Sequence, residues 1–362
     1  MQQDRLVAAC ASTAIWTANR HLSDRFPRDF KRHSTAEITD LATKFNPATG
    51  RGMPSDGLTA EQMVLALRSM GYEPLYWELE SADEATLVAS QYVRSSIPVI
   101  AVLMYRDGGH AVTLVGHTSS PSPIRAPEAT SVGQYEANIY RSSDFIPRYL
   151  AQDDSGGPLR FLEFLSWDQA VNDRIVPKAT RDELKRRFPC VVRVDARMSG
   201  KEEVAYLTSL IIPVPLRVTL KSTQAQRNAV ELVKDFLLRD GIGAGRDLVF
   251  DTYLCPSNDY KKWWSPLAGR APDVAPLVRR HLLPHWIWIT EFGVADHWSK
   301  KGPVLGHVIQ DSSGRGTRQV LDDLIGLIAP DQLALALPDG TFITSVRSGA
   351  RLSARFGAGL KA

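Results

Sequence analysis

Cys10 stands in the run Ala8-Ala9-Cys10-Ala11-Ser12-Thr13-Ala14-Ile15-Trp16. Small residues flank it, and apolar Ile15, Trp16 and Leu22 set among alanine and threonine predict a helix over residues 8–22 with the cysteine at its start. The unpaired N–H groups at a helix N-terminus carry partial positive charge and favour the thiolate, which is the nucleophilic form. His110 lies in Gly108-Gly109-His110-Ala111-Val112-Thr113-Leu114-Val115-Gly116-His117. The apolar residues predict a strand that anchors the ring, and the two glycines leave space beside it. A histidine held in this way can take a proton from a thiol and return it to a leaving amine. A third group has to fix the working tautomer of the imidazole. Asp153, at the end of the strand predicted over Arg148–Gln152, is the first candidate and Asp154 the second.

These side chains need a frame. Leu58–Met70 reads as a helix, with Thr59 as N-cap and Gln62 at capping-box spacing, ended by Gly71. A strand is predicted over Tyr72–Glu78, and a helix capped by Ser81 that ends near Ser95. Ile97–Tyr105 and Ala111–His117 form a hairpin about Asp107-Gly108-Gly109. Residues 24–57 and 118–134 read mostly as loop. Ile139–Arg141 and Arg148–Gln152 read as a further strand pair, followed by a turn at Asp153-Asp154-Ser155-Gly156-Gly157-Pro158. Residues 167–190 look helical and charged, a bridge to the second half. There an apolar segment at Leu210–Val218, helices at Thr223–Leu238 and Val274–Leu283, and strands at Trp286–Phe292 and Val304–Gln310 are predicted.

The order of a cysteine on a helix, Gly-His-Ala-Val on a strand and an acid at the next strand's end resembles the papain-like cysteine peptidase superfamily. The compact spacing, with Gly71-Tyr72 after the helix Leu58–Met70, resembles its bacterial C39-like branch, over roughly residues 1–165. The resemblance implies an α+β, papain-like fold, in which the helix bearing the nucleophile packs on an antiparallel sheet, with a C-terminal α/β extension. Residues 1–175 are then the peptidase domain, and residues 176–362 a C-terminal α+β region that caps the site or recruits a protein partner or substrate. The implied activity is a thiol hydrolase that cleaves a peptide or isopeptide bond through a thioester, with no cofactor and no metal. The implied triad is Cys10, His110 and Asp153. The family also places a Gln upstream of the cysteine as an oxyanion donor. Asp4 holds that place here, and Gln3, one residue earlier, is the candidate donor if the chain bulges by one residue. Cys10-Ala11 replaces the usual Cys-Gly. Losing one oxyanion donor costs about 10²–10³ in rate, so the alternative reading is a catalytically weak scaffold that acts as a protein-binding or regulatory module.

The bulk composition narrows the classes. The 362 residues are 44% hydrophobic and 23% charged with a net charge of +3, which fits folded domains, two by length. No long Lys/Arg block points to nucleic acid. No apolar run approaches the roughly 18 residues of a membrane span, and Met1-Gln2-Gln3-Asp4-Arg5 does not begin a secretory signal. Cys10, Cys190 and Cys255 are scattered, which suits neither a disulfide framework nor a zinc cluster, and a reducing cytoplasm is expected. A second conceivable triad is Cys255, His307 and Asp311. His281 and His285 have metal-ligand spacing on a helix, but Pro284 between them ends such a helix. Trp263, Trp264, Trp286, Trp288 and Trp298 read as core packing.

Overall fold

The computed structural model describes residues 9–44, 57–132, 135–195, 202–235, 246–265, 274–298, 304–314, 323–329, 332–336 and 342–346. The chain folds as two compact units, one drawn from within residues 1–119 and 147–216, the other from within residues 120–146 and 217–361.

In the first unit, helix α1 (Cys10–Arg25) buries Ala11, Ala14, Ile15, Ala18 and Leu22, a stripe at helical spacing. Helix α2 (Thr35–Thr43) lies in a stretch expected to be loop. A capping box of Ser34 and Glu37 starts it, but it buries only Ile38 and Ala42, too few apolar residues to show a period. Helix α3 (Ala60–Ser69) begins at the Thr59/Gln62 capping box. Strand β1 (Glu73–Glu78) and helix α4 (Ala82–Arg94), capped by Ser81, follow. Strands β2 (Val99–Tyr105) and β3 (Gly108–His117) form an antiparallel hairpin. Tyr105 pairs with Gly108, so Arg106 and Asp107 make the turn, and Gly108 takes the positive φ of +143° that it requires. The chain then gives β4 (Glu128–Val132) and β5 (Tyr135–Arg141) to the second unit. It returns through β6 (Tyr149–Asp153), β7 (Gly157–Leu165), the short helices α5 (Trp167–Asn172) and α6 (Arg181–Lys185), β8 (Cys190–Val194) and β9 (Glu203–Val214).

The expected papain-like fold, with a helix laid on an open antiparallel sheet, is corrected here. The first unit's seven strands run in the order β1-β9-β2-β3-β6-β7-β8, and β8 pairs again with β9. Six strands therefore close into an antiparallel barrel, with β1 outside the ring. The length of β9 makes closure possible. Its Tyr206 and Leu207 pair with β2 on one side and β8 on the other, while Ser209–Val214 pair with β1. The register between β2 and β9 shifts at Val102/Leu103, where Thr208 is the extra residue of a bulge. Its hydroxyl donates to the Val102 carbonyl at 2.9 Å, and bulges of this kind bend strands around a barrel. The closing strands lie beyond the residues that carry the family resemblance, so the histidine motif held no information about them. The strand pair expected between residues 139–141 and 148–152 does not form either. Strand β6 pairs with β3 and β7, whereas β5 pairs with β4 and with β10 of the second unit.

The second unit is a mixed sheet. Helix α7 (Ser222–Val233) precedes β10 (Leu248–Pro256), helices α8 (Ser257–Trp264) and α9 (Ala275–Arg280), and β11 (Trp286–Val294). The short helix α10 (Ala295–Trp298) and strands β12 (Gly306–Asp311), β13 (Leu324–Ala329), β14 (Gln332–Ala336) and β15 (Phe342–Val346) complete it. The order is β15-β14-β13-β12-β11-β10-β5-β4, with β5 and β10 parallel. One face packs Tyr253, Cys255, Ile287 and Ile289 against Tyr260, Trp264 and Val278. The other packs Leu248, Phe250, Phe292 and Val308 against Ala229, Leu232 and Val233 of α7. Coverage of both faces explains why Trp286–Ile289 reads as an unbroken apolar run rather than an alternating one. Among the described residues, no helix is long and apolar enough to cross a membrane.

Candidate active site

Cys10 is the first residue of α1, and the N-cap Ala9 gives no side-chain cap. No acidic residue occupies the first turn, so the positive end of the helix is not neutralised beside the thiol. Thr113 on β3 donates its hydroxyl to the Ala14 carbonyl at 2.9 Å in a buried position. That bond ties the helix carrying Cys10 to the strand carrying His110. A Thr113→Val variant is expected to lose about 1 kcal/mol of stability, read from its urea midpoint, and to alkylate more slowly at Cys10 because α1 is no longer pinned.

His110 opens toward Cys10 on one side and Asp153 on the other. Its Nε2–H donates to Asp153 Oδ1 at 2.9 Å, and its side chain is hydrogen-bonded to Cys10. With Nε2 engaged by the carboxylate, Nδ1 is the nitrogen left for sulfur. Burial of Cys10 opposes its thiolate, but the hydrogen bond from His110 and one from the Ala111 backbone N–H outweigh it, and the thiol titrates below its ordinary value. Burial likewise opposes the imidazolium, yet the bonds to Asp153 and Cys10 push the His110 pKa up to about 10. Asp153 is buried too. His110 and the N–H groups of Ser155 and Gly156 nevertheless hold its carboxyl well below the usual carboxylate range. These contacts thus shift both residues toward a thiolate–imidazolium pair, the charge state a thiol nucleophile needs.

Asp154, the second candidate acid, lies 3.9 Å from His110 Nε2 and is 16% exposed, against 2% for Asp153. Gln3 and Asp4 lie outside the described residues. Two further side chains crowd this site without having been singled out from the sequence. Arg160 on β7 donates Nη1 to Asp153 Oδ2 at 2.9 Å and Nη2 to Glu203 at 2.9 Å. The Tyr105 ring meets His110 edge-on, with centroids 6.1 Å apart. Arg160 falls diagonally across from Asp153 only because a bulge lets it pair with Ala151, so the turn by itself carried no signal for it.

His110, Asp153 and Asp154 also bring possible metal-ligand atoms within 4.8 Å of one another. Both oxygens of Asp153 are already taken by N–H donors, one of them a guanidinium. The donor set suits an ion pair better than a second cation. In the other unit, Cys255, His307 and Asp311 do not come together. Cys255 pairs with Ile287, which pairs with Asp311, whereas His307 pairs with Glu291. Cys255 and His307 therefore sit four positions apart along the strands, roughly 13 Å. His307 is instead buried between the Tyr260 hydroxyl at 2.9 Å and Glu291 at 3.4 Å. Helix α9 ends at Arg280, so His281 and His285 do not share a helix face. Trp264, Trp286, Trp288 and Trp298 are buried, and Trp263 packs against the core that holds Trp264 and Trp298. No protein-family profile matches this chain, and no curated protein matches it.

Proposed function

We propose that this protein is a thiol hydrolase of the cysteine-peptidase type, with Cys10 as nucleophile, His110 as acid and base, and Asp153 as the group that orients His110. The observation that carries the reading is the chain of contacts from an uncapped helix N-terminus at Cys10, through His110, to a buried carboxylate at 2.9 Å. The order of the three residues resembles that of C39-like peptidases, and we extend the likeness to the chemistry and not to the fold. The substrate class is a peptide or protein carrying an amide or isopeptide bond, and no cofactor enters the scheme.

In the proposed reaction the Cys10 thiolate attacks the carbonyl carbon. The oxyanion that forms faces the first-turn N–H groups of α1, which have no partner within the helix. The His110 imidazolium gives its proton to the leaving nitrogen as the C–N bond breaks, which leaves a thioester and a neutral imidazole. Water then attacks the thioester, its proton passes to His110, and the acid departs as the thiolate is restored. The three cysteines are free thiols, which supports a reducing compartment, and we place the protein in the cytoplasm.

Iodoacetamide separates this reading from a non-catalytic one. At pH 7 the folded protein is expected to be carboxymethylated at Cys10 first, mapped by peptide mass spectrometry. Cys190 is expected to stay unmodified, because it is fully buried and burial pushes its thiol well above the ordinary value. If Cys10 reacts no faster than Cys190 and Cys255, the activated thiolate does not exist and the binding-module reading takes its place.

A further inference from the structure

We propose that Arg160 is a positioning residue: its guanidinium locks the Asp153 carboxylate in the orientation that serves His110, and so sets the pH range over which Cys10 is reactive. The inference rests on the reading of Cys10 as a nucleophile. Asp153 accepts from four donors: His110 Nε2, Ser155 N and Gly156 N at Oδ1, and Arg160 Nη1 at Oδ2. Only the last holds the far oxygen, which stops the carboxylate from turning away from the imidazole. Arg160 is itself fixed by Glu203 through Nη2 and by the Asp195 carbonyl through Nε, and its side chain is 8% exposed.

The hairpin is built to deliver this contact. Ala151 pairs with Arg160, yet Asp153 pairs with Gly157, so β7 carries one residue more than β6 over the same stretch. The extra residue lies in Pro158-Leu159, and Leu159 takes a φ of +60°, a left-handed conformation that costs a leucine about 1 kcal/mol. This bulge brings Arg160 opposite Ala151, on the face that Asp153 shares two residues along. Gly156 leaves the room the guanidinium needs, since a Cβ there would lie 2.2 Å from Nη1.

The charged and titratable groups around the His110–Asp153 pair are Cys10 on α1, Tyr105 on β2, Asp154 in the turn, Arg160 on β7 and Glu203 on β9. Removing a guanidinium withdraws a positive charge, and as a field effect alone this already raises the pH at which the Cys10 thiolate forms. Loss of carboxylate positioning acts in the same direction, because the imidazolium loses its anion, so the two are separated by variants that keep the charge and lose the geometry.

The test is the pH profile of iodoacetamide alkylation at Cys10 in the full chain. Arg160→Met is expected to raise the midpoint by about one unit, a tenfold lower rate on the acid limb, with the rate at pH 10 unchanged. Arg160→Lys, which keeps the charge but not the fork, is expected to recover part of the shift. Gly156→Ala keeps the arginine but displaces it, and is expected to reproduce the methionine result. It carries the test if Arg160→Met fails to fold. A midpoint that stays put or falls in Arg160→Met, one that rises there but not in Gly156→Ala or is fully restored by Arg160→Lys, or a rate lowered equally at every pH, overturns the proposal while Cys10 of the unmodified protein remains reactive. An unreactive Cys10 in the unmodified protein overturns the nucleophile reading, and this inference with it.

Discussion

A His110→Gln variant is expected to alkylate at Cys10 about 100-fold more slowly than the unmodified protein at pH 6.5. Burial is the largest influence on the Cys10 thiol and it opposes ionisation. The His110 hydrogen bond, the Ala111 N–H and the imidazolium charge overcome it together. Glutamine retains a hydrogen-bonding group but supplies no charge. An ordinary thiol with a pKa near 8.5 is only about 1% thiolate at pH 6.5, and burial would lower that fraction further. The more basic thiolate is intrinsically more nucleophilic, which returns only part of the loss. Iodoacetamide rates between pH 5 and 10, followed by mass spectrometry, measure the difference. A variant as fast as the unmodified protein at pH 6.5 would show that the helix terminus alone activates Cys10. Amide hydrolysis has a second limb, because the leaving nitrogen needs a proton from His110. Turnover is therefore expected to decline as pH rises through about 10, where His110 deprotonates.

Asp153→Asn is expected to cost the fold about 3–5 kcal/mol, the range found when one member of a buried ion pair is removed. Arg160 and His110 both point charge at this carboxylate from within 2.9 Å. The amide leaves them with a neutral partner whose NH₂ group has to face N–H donors. The pH dependence has a definite sign. The folded-state pKa of Asp153 is depressed, so its contribution is fully present above the unfolded value near 4 and is lost as pH falls below that value. The gap between the two proteins in urea unfolding should be widest at neutral pH and narrow progressively below pH about 4. Asp154→Asn, by contrast, alters a side chain 3.9 Å from the ring, and a stability change of less than about 1 kcal/mol is expected. Equal losses from the two variants would deny Asp153 its special place.

Much of the local structure was legible because its signals are local. Thr59 with Gln62, and Ser81 at the head of α4, announce their helices through side chains that bond their own backbone. The β2–β3 hairpin was readable from its apolar runs and glycines, although the turn falls one residue earlier than the glycines suggested. Helix α2 was not legible, since Ile38 and Ala42 are its entire buried face. Arg160 escaped notice because its meaning depends on a bulge, and nothing in Pro158-Leu159-Arg160 says which residue will be the extra one.

By itself the sequence determined that a cysteine would begin a helix, that a histidine would lie on an anchored strand, and that acids would follow at a later strand's end. Residue type, period and capping decide those matters within a few neighbours. Only the tertiary structure decided that the strands close into a barrel, because β9 has to reach β1, β2 and β8 at once, and such pairings depend on the register of remote segments. It alone separated buried Asp153 from its neighbour Asp154 and placed a guanidinium behind the carboxylate. It also decided the direction in which the Cys10 and His110 pKa values move, since burial and hydrogen-bonding groups on α1, β3, β6 and the β6–β7 turn act there together.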